Sequence, residues 1–269
     1  MPYAGVNGQR FYYEISGDGE VVVLLHGALA DADVMEAPST GLASGFRALR
    51  IDRRGHGRTT PPIQAPVPLE EEAADVLAIL DWFSAPTAHL LAHDEGAEVA
   101  IEIALKAPDR VLSMGLLAPT VEGFPWSAET LQRRAELYTT LRVDAKTAIY
   151  QKLLAGHAFD VVREHDYMEE RIREIFMRAA AAPETLARAV RPEPTQYSRL
   201  GSVSCRTAVF YGDRDDPDRI RCAEAIASAI PGAEKHVLAG LSRFLHVEEP
   251  RAVMRQLTDF FLPEPEIER

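Results

Sequence analysis

The chain has 269 residues, 46% of them hydrophobic and 26% charged, which suits one large globular α/β domain with room for an inserted subdomain. Lys and Arg number 29 against 41 Asp and Glu, and the net charge of −12 speaks against nucleic acid or an anionic membrane surface as a partner. No apolar run is long enough to span a bilayer, Met1-Pro2-Tyr3-Ala4-Gly5 lacks the basic-then-apolar start of a signal peptide, and Cys205 and Cys222 have no metal-site spacing. The expectation is a reduced, cytoplasmic chain that acts on a small molecule without a metal or other cofactor.

Phe11 to Ile15 alternate as a strand does, and Gly17-Asp18-Gly19 makes a turn. Val21-Val22-Val23-Leu24-Leu25 is apolar throughout and rich in β-branched residues, the pattern of a strand buried on both faces. It runs into His26-Gly27-Ala28. A further strand, Phe46 to Ile51, leads into Asp52-Arg53-Arg54-Gly55-His56-Gly57-Arg58-Thr59, a charged loop punctuated by glycine. Residues 69–82 place Ala73, Val76, Leu77 and Leu80 on one helical face, and Glu70-Glu71-Glu72 at the start suits the helix dipole and a solvated surface.

The run His89 to Ala92 reads as a buried strand, and a helical period begins at Glu95 and continues through Val99, Ala100 and Ile103 to about Lys106. Asp94 sits at the apex between them, with Gly96 two residues on. That is the layout of a nucleophile elbow, in which a strained strand-to-helix turn lifts one side chain above the carboxyl edge of a sheet. The helix behind it aims backbone N–H groups at negative charge. Val111 to Leu117 is another buried strand.

From about 120 to 200 the strand pattern gives way to amphipathic helices near 128–140, 145–154, 166–180 and 183–190. This predicts a helical cap over residues 121–199, inserted into a core made of 1–120 and 200–269, and a lid there would shape a pocket and exclude water. A strand at Thr207 to Tyr211 ends in Gly212-Asp213-Arg214-Asp215-Asp216-Pro217. A helix near 219–230, a last strand at 234–238 and a final helix near 247–261 follow. Strands alternating with helices imply right-handed crossovers and a mostly parallel central sheet flanked by helices.

Five landmarks in this order resemble the α/β-hydrolase family over nearly the whole chain. They are His26-Gly27-Ala28, the 52–59 loop, His93-Asp94-Glu95-Gly96, Gly212-Asp213-Arg214-Asp215 and Phe244-Leu245-His246-Val247-Glu248-Glu249-Pro250. The usual elbow carries Ser. An Asp there is similar to the epoxide hydrolases and haloalkane dehalogenases of this family, whose carboxylate attacks a carbon and forms an ester that water then cleaves. The resemblance puts Asp94 at the nucleophile position, Ala28 and Glu95 at the positions whose backbone N–H groups form the oxyanion hole, and Asp215 at the position of the triad acid.

The catalytic His position departs from the pattern. Counted back from Glu248 and Pro250, it is Arg243, and His246 lies three residues later. A carboxylate is already ionised at neutral pH and attacks without help, but water activation in the second step needs a base, and Arg stays protonated. His246, His157 and Tyr138 are the auxiliary or substrate-contacting candidates. Three readings follow. In the first, the chain is a hydrolase acting through Asp94 on a small, largely apolar ester, lactone or epoxide, with a degenerate Asp-Asp-Arg triad. In the second it is a lyase, cyclase or isomerase that uses Asp94 or Glu95 as acid/base and Arg243 as an anion holder. In the third it is a non-catalytic pseudo-hydrolase that binds a small ligand under its lid.

Overall fold

The computed structural model describes residues 2–61, 67–143, 146–178 and 193–262, the side chains of 138 and 141–143 excepted. Among these, eight strands form one sheet: β1 (Tyr3–Val6), β2 (Gln9–Ser16), β3 (Glu20–Leu25), β4 (Phe46–Ile51), β5 (Ala88–His93), β6 (Val111–Leu117), β7 (Arg206–Gly212) and β8 (Glu234–Leu238). Their spatial order is β1-β2-β4-β3-β5-β6-β7-β8. β1 and β2 are antiparallel additions at one edge, and every pairing from β4 to β8 is parallel.

The apolar strands alternate between two cores. In β3, Val21, Val23 and Leu25 point into one cluster and Val22 and Leu24 into the other; in β5, Leu90 and Ala92 take the first side and Leu91 the second. Burial on both faces is why these strands read as unbroken apolar runs. The first helices to cover the sheet are α1 (Glu36–Leu42), α2 (Leu69–Trp82) and α3 (Gly96–Lys106). Between β6 and β7 come α4 (Ala128–Val143), α5 (Lys146–Leu154), α6 (Asp166–Arg178) and the single turn α7 (Gln196–Arg199). The expected helix over 183–190 lies outside the described residues. α8 (Pro217–Ala229), the single turn α9 (Leu245–Glu248) and α10 (Pro250–Phe261) complete the chain. No helix among the described residues is long and apolar enough to cross a membrane.

Some local readings need correction. The expected helix over 247–261 is two helices, because Glu249, forced off αR by the following proline, has φ −135 and ψ 68. Glu72 is not a solvated helix-start charge. It is buried and accepts from Arg53 Nη1 at 2.6 Å, while Arg54 forks onto Asp75 with Nε and Nη2, both at 2.6 Å. The 52–59 loop is thereby bolted to α2. β1 escaped the sequence reading because it is only four residues long. Its turn to β2 runs through Asn7 and Gly8, both at positive φ, as a tight hairpin requires.

Gly96, at the start of α3, is where the elbow helix meets β3. A Cβ there would stand 2.7 Å from the carbonyl oxygens of both Leu25 and His26. These are backbone atoms of a central strand and cannot step aside, so Gly96→Ala is expected to destabilise the fold by about 1–3 kcal/mol, measurable as a lowered urea midpoint.

Candidate active site

β5 delivers the chain to the carboxyl edge of the sheet, and the turn into α3 lifts Asp94 there with φ +53, a left-handed conformation that a non-glycine residue adopts at a cost. Neighbours hold the turn in place. Asp94 N–H donates to Leu117 O at 3.0 Å, and Asp94 O accepts from Ala97 N–H at 3.1 Å and Thr120 N–H at 3.3 Å. Gly27, at the end of β3, lies so close that a Cβ on it would sit 2.8 Å from Asp94 Oδ2.

The Asp94 carboxylate is held by a residue that the sequence reading passed over. Arg219, in the first turn of α8, donates from Nη1 to Asp94 Oδ1 as an ion pair. Asp94 Oδ2 has no donor among the described residues and is not sealed from open space. Burial works to raise the Asp94 pKa, but Arg219, then Arg243 and His93, outweigh it and hold the carboxyl well below the usual carboxylate range. For Arg219 burial works against the charge, while Asp94 and Asp215 outweigh it and push the guanidinium above its ordinary value.

Arg243 lies beside the same cluster. Its Nη2 donates to Asp215 Oδ1 at 3.0 Å and its Nε approaches Oδ2 at 3.5 Å, so the acid-position carboxylate is paired with a guanidinium. Asp215 Oδ1 also accepts from Asp216 N–H at 2.7 Å. Asp94, Arg219, Asp215 and Arg243 thus form a chain of alternating charge. Glu95 is paired with Arg134 of α4 at 3.7 Å.

Asp94, Arg219 and Arg243 lie on the floor of a cavity with an empty volume of about 840 Å³, counted to its open mouth, while Asp215 stands behind them outside the lining. Ala28, Glu95 and His93 line it as well, and Leu137, Leu153, Phe159, Ile172, Ile175 and Phe176 supply its apolar roof. Leu137 comes from α4, Leu153 from α5, and Ile172, Ile175 and Phe176 from α6.

The auxiliary candidates are placed differently. His157 is exposed, pairs with Asp160 at 3.1 Å and does not line the cavity. His246 is buried with its ring edge-on to His93, centroids 4.6 Å apart, and is also outside the lining. Burial, then the neighbouring His93, lowers the His246 pKa well below the ordinary histidine value. The Tyr138 side chain lies outside the described residues. His93 donates from Nε2 to the Arg243 carbonyl at 3.1 Å, which leaves Nδ1 unprotonated and without a partner, and burial lowers its pKa to about 4. Nothing local in the sequence marks Arg219, which sits in the first turn of α8 after the N-cap Asp216 and meets Asp94 only through the fold.

Comparison with known proteins follows the same outline. Residues 20–250 match the model of the alpha/beta hydrolase fold family. Over 258 residues the chain is 28% identical to the dihydrolipoyllysine-residue acetyltransferase component of the acetoin cleaving system of Cupriavidus necator, covering 92% of this chain and 65% of that protein. Over 260 residues it is 28% identical to the putative carbamate hydrolase RutD of Variovorax paradoxus, covering 93% and 95%. The crystal structure of the enol-lactonase from Burkholderia xenovorans LB400 superposes with a TM-score of 0.83 at 22% identity, over 97% of this chain and 99% of that one. With two-sided parallel strands, an elbow at the head of α3 and a family match over most of its length, the chain belongs to the α/β-hydrolase fold family.

Proposed function

We propose that this chain is a small-molecule enzyme of the hydrolase type, acting on a largely apolar ester, lactone or epoxide held under the 121–199 cap, with Asp94 as the attacking group. The observation that carries this reading is the Asp94 carboxylate itself, raised on a left-handed turn at the cavity floor with Oδ1 tied to Arg219 and Oδ2 open. In the attack, Oδ2 forms a bond to the electrophilic carbon, the carbon–oxygen bond of the epoxide or ester breaks, and the departing oxygen keeps the electron pair and takes a proton from solvent. Backbone N–H groups of Ala28 and Glu95, which border the cavity, are the candidates to steady the oxyanion. The 28% identity to a putative carbamate hydrolase supports a small organic substrate.

An epoxide would leave an alkyl ester on Asp94 and an ester or lactone a mixed anhydride, and hydrolysis of the alkyl ester is the slow step in this scheme. Arg243 stands where a base is needed and cannot deprotonate water, and the free lone pair of His93 is enclosed. A non-hydrolytic role, as a lyase, cyclase, isomerase or ligand holder, is favoured by one observation: the Arg219 pair, which dampens Asp94 as a nucleophile. Intact-mass spectra after exposure to a panel of neutral epoxides, lactones and activated esters separate the two. One adduct per chain that disappears in Asp94→Ala is the expected result. No adduct from any electrophile, with small ligands retained under native conditions, moves the assignment to the non-covalent role.

A further inference from the structure

We propose that the cavity floor is a carboxylate-binding subsite, so that the molecule it takes is a small amphiphilic acid with its anionic head on Arg243 and Arg219 and its tail under the cap. That this acid is a substrate rests on the preceding reading of Asp94; that it binds does not.

Arg243 uses Nε and Nη2 on Asp215, which leaves Nη1 with no acceptor among the described residues. Arg219 uses Nη1 on Asp94, which leaves Nε and Nη2 without one. Two arginine nitrogens elsewhere that lack a partner, Nε of Arg53 and Nε of Arg199, are sealed inside the protein. The three on Arg219 and Arg243 are not sealed, and both side chains line the cavity, with 15% and 17% of their surface exposed. The unpartnered donors therefore meet the cavity space.

A guanidinium that has lost most of its hydration and still has open N–H groups is incompletely satisfied. What completes it is an acceptor with several lone pairs in one plane. A carboxylate has that geometry, and its charge-assisted bonds are about twice as strong as those of a neutral carbonyl. Asp94 and Asp215 already neutralise the two arginines, so the head group is held by directed hydrogen bonds at close range. No surplus of positive charge around the cavity draws it in. Leu153, Phe159, Ile172 and Phe176 then offer an apolar wall for a short hydrocarbon chain.

The test compares octanoate with octanamide, which has the same length and shape and no charge, by calorimetry on the full chain at pH 7. Octanoate is expected to bind at least about tenfold more tightly, since charge-assisted bonds exceed neutral ones. Its affinity should fall as pH drops through the ordinary carboxylic acid range near 4, because the ligand then loses its charge while the arginines keep theirs. Arg243→Gln should lower the octanoate-to-octanamide ratio while the Arg219 donors keep part of it, and Arg243→Lys should leave it in between, with thermal melts confirming that both variants are folded. Equal or weaker binding of octanoate in the wild-type chain overturns the subsite, as does an unchanged ratio in folded Arg243→Gln. An Asp94 adduct from a neutral epoxide combined with no carboxylate preference would remove the subsite and keep the Asp94 chemistry. A carboxylate preference without any adduct would do the reverse.

Discussion

Replacing Arg219 by Met is expected to lower folding stability by about 3 kcal/mol, near the lower end of the range for breaking a buried pair because both partners keep some contact with the cavity. The loss comes from stranding Asp94, whose carboxylate would remain on the left-handed turn without its closest counter-ion. Asp94→Asn, which suits the left-handed backbone and has nearly the same shape, should cost a similar amount by stranding Arg219 instead. The double variant should recover most of either loss, since no unpaired charge then remains. A double-mutant cycle from urea unfolding checks this. A coupling near zero would mean that the ion pair contributes nothing and that Arg243 alone neutralises Asp94.

Acidification should weaken the fold well before the carboxylates titrate. His26, His93 and His246 are buried, and burial is the leading cause that lowers the pKa of each. In the unfolded chain a histidine takes up a proton near pH 6.5. Folded His93 refuses it down to about 4. Within that window the unfolded state binds more protons, so stability rises with pH and is lost as pH falls from about 6.5. His93 alone accounts for about 3 kcal/mol by the bottom of the window, and His26 and His246 act in the same direction. Glu248 has the opposite sign, because burial raises its pKa and its contribution fades as pH rises. Urea midpoints at pH 7.5, 6 and 5 should decline in that order. A flat profile would show that the unfolded chain shelters these imidazoles equally well.

The landmarks that carry the fold were legible because each is local. An unbroken apolar run, a glycine two residues past the apex of a turn, and an Asp two residues after a turn's first charged residue are all visible within ten positions. The pairs that define the site are not local. Arg219 meets Asp94 across 125 positions, and Arg243 meets Asp215 across 28. No periodicity encodes such meetings; the sheet order does, by laying the β7 and β5 carboxyl ends near each other with only β6 between. The cap is intermediate. Its helices follow from the 3.6-residue period, but that Ile172, Ile175 and Phe176 face the cavity follows from packing. The break at Glu249 was legible and went unused, since a residue before proline avoids αR.

The Arg219–Asp94 pair also sets how far this chain stands from a serine hydrolase. Arg243→His would give Asp215 an imidazole partner, yet Arg219 would still hold Oδ1 of Asp94. Asp94→Ser would supply the hydroxyl and leave Arg219 with an empty-handed charge against a cavity wall. The change at 94 strands a guanidinium, so a serine at the elbow is expected to need a second change at 219. Arg219 thereby works as a ratchet: with an acid and a guanidinium joined at the elbow, replacement of either one alone runs uphill through a less stable intermediate.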